Sequence, residues 1–263
     1  MMKIALVAVL PLLLATVAHA AVQTKVIEYK HGDTVLEGYL AYDDSQTGQR
    51  PGVLVVHEWM GHNPYSRKRA EQLAGMGYVA FALDMYGKGV HAKDAKEAAQ
   101  LAGIYKKDRK LMRARAEAGM DVLRKQPQTD PNRLAAIGYC FGGTTVLELA
   151  RAGDDLAGVV SFHGDLATPT PEDAKNIKGK VLALHGADDP FVPRAVVTAF
   201  EDEMRKGGVD WQFTEYGGAV HSFTNPGAGN DNSRGAAYNA KADRRSWEAM
   251  RSFFDELFQK QQN

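Results

Sequence analysis

Residues 134–146 read LAAIGYCFGGTTV: an apolar run ends at the motif GYCFG (residues 138–142), and a segment of helical character follows directly. A glycine two positions either side of a nucleophilic side chain is typical of a tight turn between a strand and a helix. The glycines are required because a Cβ at either position would collide within the turn. The motif predicts that Cys140 projects above a sheet edge, near the N-terminus of the next helix. The alternative, a buried cysteine packed like a small hydrophobe, is less favoured by this position.

Outward from this turn, short apolar runs alternate with amphipathic segments, the pattern of buried parallel strands joined by helices. The strands are predicted at Val53–Val56, Val79–Leu83, Leu134–Ile137, Val159–Phe162 and Val181–Leu184, with a further strand beginning at Trp211. Val26–Tyr42, with a turn at residues 31–33, is predicted to form an antiparallel hairpin at the sheet edge. The sum is one three-layer α/β domain with a mostly parallel, twisted sheet.

Helices are predicted from caps and from apolar stripes. Asn63 and Pro64 fit the N-cap and first position of a helix that ends near Gly77. The stripes at helical spacing are Met112, Ala116, Met120 and Leu123; Val197, Phe200 and Met204; and Trp247, Met250, Phe254, Leu257 and Phe258.

Composition excludes several classes of partner. The 263 residues include 32 Lys+Arg, 32 Asp+Glu and one cysteine. This balance provides no basic excess for nucleic acid or an anionic membrane, so neither is expected as a partner. A single cysteine builds no intrachain disulfide, CxxC redox motif or thiolate zinc site. His57, Glu58 and His62 are spaced HExxxH rather than HExxH, so we expect no metal and no cofactor.

The first twenty residues have the features of a signal peptide. Lys3 is the charged part, Ile4–Val17 the apolar run, and AHA at 18–20 a small-x-small cleavage site. The run is short and interrupted for a membrane span, although a retained anchor is the alternative. Cleavage could follow Ala20 or Ala21. We therefore expect a periplasmic or secreted monomer, with a domain over residues 21–263 and no stable membrane association after cleavage.

A thiol nucleophile needs a base, and two later strand ends offer partners. The strand Val181–Leu184 runs into HGADDP, and the strand from Trp211 runs into GGAVHSF, which contains His221. The chain order nucleophile, acid, histidine is the one that this architecture uses. Asp189 is favoured as the acid because the Gly-x-x-Asp turn places it at the tip facing the histidine. Asp188 is the alternative, or else a turn residue.

The loop after the strand Val53–Val56 is where a second oxyanion donor is expected. The candidate donors are the backbone N–H groups of Trp59 and Phe141. Glu58 lies beside them, where its charge would oppose a developing anion unless the carboxylate moves or is paired. The residues alone leave open whether Glu58 belongs to the site or is a solvated loop carboxylate.

Taken together, these stretches resemble the dienelactone hydrolase family of α/β-hydrolases. The matching motifs are HEWMG at 57–61, LDMYG at 83–87, GYCFGG at 138–143, DPFVP at 189–193 and HSF at 221–223. The resemblance implies a triad of Cys140, Asp189 and His221 and an oxyanion hole at Trp59 and Phe141. It also implies that Glu58 interacts with the resting thiol and is displaced when substrate binds.

The expected substrate contacts depart from the family pattern. Family members that open dienelactones hold the substrate carboxylate with two arginines, and the matching positions here are Lys88 and Asn225. Lysine lacks the bidentate fork of arginine and asparagine carries no charge, so a small anionic lactone is not favoured. The spacing of the triad residues leaves no room for a cap domain. We expect Tyr86 and Phe223 to border an open cleft.

The chemistry expected is acyl transfer by an exported hydrolase acting on a small ester or lactone, through a thioester on Cys140. By resemblance it is a hydrolase of the carboxymethylenebutenolidase type. The alternatives are a peptidase or other acyl hydrolase on the same fold, and a catalytically silent binding protein.

Overall fold

An eight-stranded sheet forms the middle layer of the computed structural model, which describes residues 22–258. The strands are β1 (Val22–His31), β2 (Thr34–Asp43), β3 (Arg50–Val56), β4 (Val79–Ala82), β5 (Thr129–Tyr139), β6 (Gly158–Phe162), β7 (Lys180–Gly186) and β8 (Trp211–Tyr216). Their spatial order is β1-β2-β4-β3-β5-β6-β7-β8. The β1–β2 and β2–β4 pairs are antiparallel, and the remaining pairs are parallel. The predicted strands and edge hairpin are thus confirmed, whereas the expected signal peptide lies outside the described residues.

Helices cover both faces of the sheet. They are α1 (Pro64–Gly75), α2 (Ala95–Lys107), α3 (Arg109–Arg124), α4 (Phe141–Arg151), α5 (Arg194–Gly207) and α6 (Ala240–Phe258). Helices α1 and α6 pack on one face, and α2 to α5 on the other. The predicted cap is confirmed, because the Asn63 side chain accepts hydrogen bonds from the backbone N–H groups of Tyr65 and Ser66. Within residues 22–258, no helix combines the length and apolarity needed to cross a bilayer.

The core consists of two apolar clusters, one on each face of the sheet. Alternate residues of a strand point to opposite faces, so Val53 and Val55 pack against α1 and α6 while Leu54 and Val56 pack toward the other helices. Both faces of β3 are therefore buried, which explains the unbroken apolar run Val53–Val56 within it.

The carboxyl ends of β3 and β5 meet where the chain reverses direction across the sheet. From β3 the chain crosses to β4 on one side, and β5 then pairs with β3 on the other. Crevices at such reversal points are where open α/β sheets bind ligands. Val56 is paired with Gly138, so the loop after β3 and the turn after β5 lie side by side.

Candidate active site

The turn after β5 holds Cys140 in a strained backbone conformation. Cys140 has φ 55°, in the left-handed region that side chains other than glycine seldom adopt. A Cβ on Gly138 would lie 2.0 Å from the carbonyl oxygen of Gly142, and one on Gly142 would lie 2.2 Å from that of Val56. The two glycines therefore let the turn close on itself and against the end of β3, as the motif predicts.

Cys140, His221 and Asp189 are joined in series by short contacts. The Cys140 Sγ lies 3.1 Å from His221 Nε2, and His221 Nδ1 lies 2.7 Å from Asp189 Oδ2. The backbone of His221 is held by a bridge to the segment 235–237, whose carbonyl and N–H groups pair with it. An imidazole between a thiol and a carboxylate can take the thiol proton and remain stabilised as an imidazolium.

The charge state of His221 reflects these neighbours. Burial lowers the pKa of this imidazole, but the negative charge of Cys140 and the hydrogen bonds of the ring to Asp189 and Cys140 outweigh burial and raise it to about 10. The raised pKa of His221 therefore favours the protonated imidazole beside Cys140. A thiolate is the reactive form of cysteine, and a protonated imidazole in contact with the sulfur is the kind of neighbour that stabilises it.

The two adjacent carboxylates after β7 have different roles in the structure. Asp189 is buried, contacts His221, and accepts a hydrogen bond from the Phe191 N–H at 2.9 Å. Asp188 is exposed, and its backbone N–H pairs with the carbonyl of Ala219. The geometry therefore places Asp189, the favoured candidate, on the histidine.

The two candidate oxyanion donors lie at the ends of the facing loops. Phe141 is the first residue of α4, so its N–H is among the helix N–H groups that have no partner within the helix. Trp59 is 37% exposed, and its carbonyl accepts a hydrogen bond from the Tyr86 hydroxyl at 2.9 Å. Tyr86 thus holds the backbone beside Trp59 in place, a contact that the sequence did not indicate.

Glu58 is only 5% exposed, which excludes a solvated loop carboxylate. Burial raises its pKa, while hydrogen bonds from Asn225 and Ser222 and the nearby charge of His221 act in the opposite direction. Its Oε2 accepts a hydrogen bond from the Asn225 side-chain amide. Within residues 22–258 no hydrogen bond joins Glu58 to Cys140, whose thiol contacts His221 instead.

The expected substrate-binding residues differ in position. The prediction that Phe223 borders the cleft is wrong. Its side chain is fully buried, and its ring packs edge-on to His163 and tilted against Tyr216. Tyr86 is 8% exposed and half of the Lys88 side chain is exposed, with its ammonium paired to Glu28 on β1. The HSF motif by itself could not distinguish a core phenylalanine from a cleft residue.

Sequence reasoning missed two residues of this region. Phe191 is 59% exposed, and its ring meets that of His221 edge-on with centroids 5.5 Å apart. His163 follows β6 and is fully buried beneath the turn. Its Nδ1 accepts a hydrogen bond from the Cys140 N–H at 3.1 Å. The signal for His163 was its place at a strand end beside the β5 turn.

Two cavities of the molecule lie away from Cys140. One, of about 490 Å³, lies between the β1–β2 hairpin and α3; the other, of about 250 Å³, adjoins α5.

In the described part of the chain, no three His, Cys, Asp or Glu side chains are grouped to hold a metal ion. His57 Nε2 accepts a hydrogen bond from the backbone N–H of Met85.

The chain is similar in sequence and in fold to several known proteins. The solved structure named m3DLH is 46% identical with a TM-score of 0.88, covering 91% of this chain and all of its own. A dienelactone hydrolase-like promiscuous phosphotriesterase from metagenomic libraries is 43% identical with a TM-score of 0.86 and the same coverages. A protein from Aquifex aeolicus, provisionally named carboxymethylenebutenolidase, is 28% identical over 235 residues, 88% of this chain and 97% of its own.

The match to the family extends over most of the chain. The model described as the dienelactone hydrolase family covers residues 36–258, which include both loops and all three residues of the Cys140–His221–Asp189 series. The reversal point in the sheet and the glycines on either side of Cys140 fit this match, as do the names of the homologues. This chain therefore belongs to the dienelactone hydrolase family, hydrolases of ester and lactone bonds.

Proposed function

We propose that this protein hydrolyses carboxylic esters or lactones with Cys140 as nucleophile, His221 as base and Asp189 as the group that orients the histidine. The single observation that carries the proposal is the pair of contacts of 3.1 Å and 2.7 Å that link the three side chains. These are the separations that proton transfer and orientation of the imidazole require.

In the first half of the reaction the thiolate of Cys140 attacks the carbonyl carbon. The oxygen that becomes negative accepts hydrogen bonds from the N–H groups of Phe141 and Trp59, and loss of one such donor typically slows a reaction by about 10² to 10³. The C–O bond then breaks, and the His221 imidazolium gives its proton to the leaving alkoxide. A thioester on Cys140 remains.

In the second half, water replaces the alcohol. His221 takes a proton from water as it attacks the thioester carbon, the C–S bond breaks, and the acid leaves while the thiolate is restored. An ester fits this sequence better than a peptide, because a thiolate leaves the adduct more readily than an amine unless the amine is protonated.

The substrate is proposed to be uncharged near the reacting carbonyl. Lys88 is paired with Glu28, and the amide of Asn225 is bound to Glu58, so neither offers the guanidinium fork that binds a carboxylate. Trp59 and Phe191 instead have exposed aromatic rings, and that of Phe191 meets the His221 ring edge-on. These rings favour an apolar or aromatic group.

Neutral phosphotriesters are a second candidate substrate class. The relative at 43% identity is named a promiscuous phosphotriesterase. The exposed Phe191 ring beside His221 could contact the apolar substituents of such a triester.

Export is proposed from the N-terminal pattern alone. Lys3, the apolar run at 4–17 and AHA at 18–20 support cleavage of a leader. Expression of the full chain in a bacterium, followed by N-terminal sequencing of the periplasmic protein, should give a sequence that begins at Ala21 or Val22.

A panel of p-nitrophenyl esters and one p-nitrophenyl phosphotriester tests the activity. We expect Cys140→Ala and His221→Ala to abolish turnover, and Asp189→Asn to lower kcat by about 10² to 10⁴. Asp188→Asn, at the exposed neighbour, is the matched control and should retain the wild-type rate. Ester hydrolysis that survived in Cys140→Ala would overturn the mechanism, and p-nitroanilide turnover exceeding that of esters would favour a peptidase.

A further inference from the structure

His163 is a buried histidine that the proposed reaction does not use. It follows the last residue of β6 and is fully buried between the turn after β5 and the loop that carries His221. Its φ is 40°, a conformation that residues other than glycine adopt only where their surroundings hold them. The contacts of the His163 ring therefore show what holds the residue in this conformation.

Both ring nitrogens of His163 are hydrogen bonded, to groups on different elements. Nδ1 lies 3.1 Å from the backbone nitrogen of Cys140, and Nε2 lies 2.7 Å from the Thr224 hydroxyl. A backbone N–H can only donate, so Nδ1 carries no proton. The neutral ring therefore bears its proton on Nε2 and donates it to Thr224.

Thr224 is itself anchored. Its hydroxyl lies 2.6 Å from the hydroxyl of Tyr65 on α1, and its carbonyl accepts a hydrogen bond from Arg69 at 2.9 Å. Arg69 is in turn paired with Asp243 on α6 at 2.6 Å. Because Thr224 comes three residues after His221, these contacts fix the loop from which the candidate base projects.

We propose that His163 is a positioning residue: as the neutral Nε2–H tautomer it ties the Cys140 backbone to the His221 loop through Thr224, and thereby sets the distance between Sγ and Nε2. The inference rests on the proposed function, since it assigns a purpose to that distance. A shift of about 1 Å in such a pair can cost on the order of 10²-fold in rate.

The charges around His163 require it to stay neutral. His221 faces its ring with centroids 5.3 Å apart, and Arg69 and His185 are the other cationic or titratable groups that act on it. Burial and the nearby His221 lower the pKa of His163 well below its ordinary value. A second imidazolium here would oppose the charge on His221, and its Nδ1 could no longer share the Cys140 N–H with the carbonyl of Phe162, which accepts it at 3.0 Å.

Substitutions at Thr224 test the coupling without altering either histidine. Thr224→Val removes the acceptor of the Nε2 proton at nearly constant shape, and Thr224→Ser keeps it. The measurements are kcat and KM for a p-nitrophenyl ester, the pH profile of iodoacetamide alkylation of Cys140, and the Tm. For Thr224→Val we expect kcat to fall by about 10-fold or more, KM to change less than kcat, and the alkylation midpoint to move to higher pH. Thr224→Ser should restore all three.

His163→Asn is the second variant. Asparagine tolerates a positive φ and can still accept from the Cys140 N–H, but it is too short to reach Thr224. It should therefore behave like Thr224→Val. If either variant lowered only the Tm and left kcat and the alkylation profile of the folded enzyme unchanged, His163 would be structural and the proposal would be overturned.

Failure of the proposed function would look different. It would leave ester hydrolysis intact in Cys140→Ala. Failure of the coupling alone would leave Cys140→Ala inactive and Thr224→Val at the wild-type rate.

Discussion

Glu58 brings a carboxylate into a buried position next to a site that must stabilise negative charge. Its neighbours are the amide of Asn225, Ser222 and the charge of His221. An ionised group that is removed from water destabilises the fold unless its partners compensate. Burial is the largest influence on Glu58 and raises its pKa, so the partners compensate only in part.

Glu58→Gln should therefore stabilise the protein at neutral pH. Because the folded-state pKa of Glu58 is raised, the folded protein binds more protons than the unfolded chain above pH 4.5, and its stability falls as the pH rises through that pKa. Glutamine does not ionise, so the variant does not lose this stability as the pH rises. Its side-chain oxygen can still accept a hydrogen bond from Asn225. We expect the Tm gain over wild type to be near zero at pH 4.5 and a few degrees at pH 7, as about 1 kcal/mol would give.

The matched control is Glu248→Gln, at an exposed carboxylate paired with Arg251. Its Tm difference should be the same at both pH values. A Tm gain for Glu58→Gln that did not depend on pH would contradict the assignment of a strained, buried charge.

At the scale of elements, the turn between β5 and α4 depends on how closely a helix can approach a strand end. Gly142, in the first turn of α4, lies against the carbonyl groups of Val56 and His57 at the end of β3. The motif predicts that a glycine is needed here, but only the packing of α4 against β3 shows which backbone atoms a Cβ at this position would meet. That close approach brings the N-terminus of α4 to the loop that contains Trp59.

Gly142→Ala should displace α4 from β3. The new Cβ would lie 2.2 Å from the Val56 carbonyl oxygen, an overlap that backbone must relieve. We expect a loss of about 1–3 kcal/mol in the free energy of unfolding, measured in urea, and a fall in kcat.

Gly103→Ala is the matched control. Gly103 is also helical, in α2, but a Cβ there meets nothing within 4 Å. Since alanine is the better helix former, this variant should gain up to about 1 kcal/mol with unchanged kcat. Equal effects of the two variants would show that helix propensity, and not the approach to β3, governs Gly142.

At the scale of the whole molecule, a buried ion cluster joins the helices on one face of the sheet. Arg151 on α4 is fully buried and contacts Glu148 at 3.1 Å and Glu203 on α5 at 2.7 Å. Arg113 on α3 reaches the same Glu148 and also Asp173. Glu148 and Arg151 lie near the C-terminal end of α4, and Phe141 is at its N-terminal end. The ion pairs therefore hold this helix against α3 and α5.

Arg151→Met should cost about 3–5 kcal/mol, because it removes the cationic partner of the buried Glu203, whereas Glu148 keeps Arg113. Burial already raises the pKa of Glu203, and loss of the Arg151 hydrogen bonds would raise it further. The loss, measured by urea unfolding, should therefore be smaller at pH 5 than at pH 8, since protonation removes the unpaired charge.

Arg251→Met removes one partner of an exposed pair with Glu248 and serves as the control. It should cost about 0.2–1 kcal/mol at both pH values. If Arg151→Met cost no more than this control, the cluster would not be an anchor of α4.

The sequence by itself determined the strands, the main helices, the glycine-framed turn at Cys140 and the order Cys140, Asp189, His221. These depend on the spacing of apolar residues and glycines along short stretches, which burial and backbone geometry control locally. Only the tertiary structure decided that Asp189 rather than Asp188 meets His221, and that Phe223 belongs to the core.

The same distinction applies to the partners of the site. Glu58 and Asn225 are 167 positions apart in the chain, and His163 and Thr224 are 61 apart, yet each pair is hydrogen bonded. No local pattern encodes such contacts, because they exist only once the sheet has aligned its strand ends at one edge. The sequence therefore specified which side chains are available, and the alignment of β3, β5, β6 and β7 specified which of them meet.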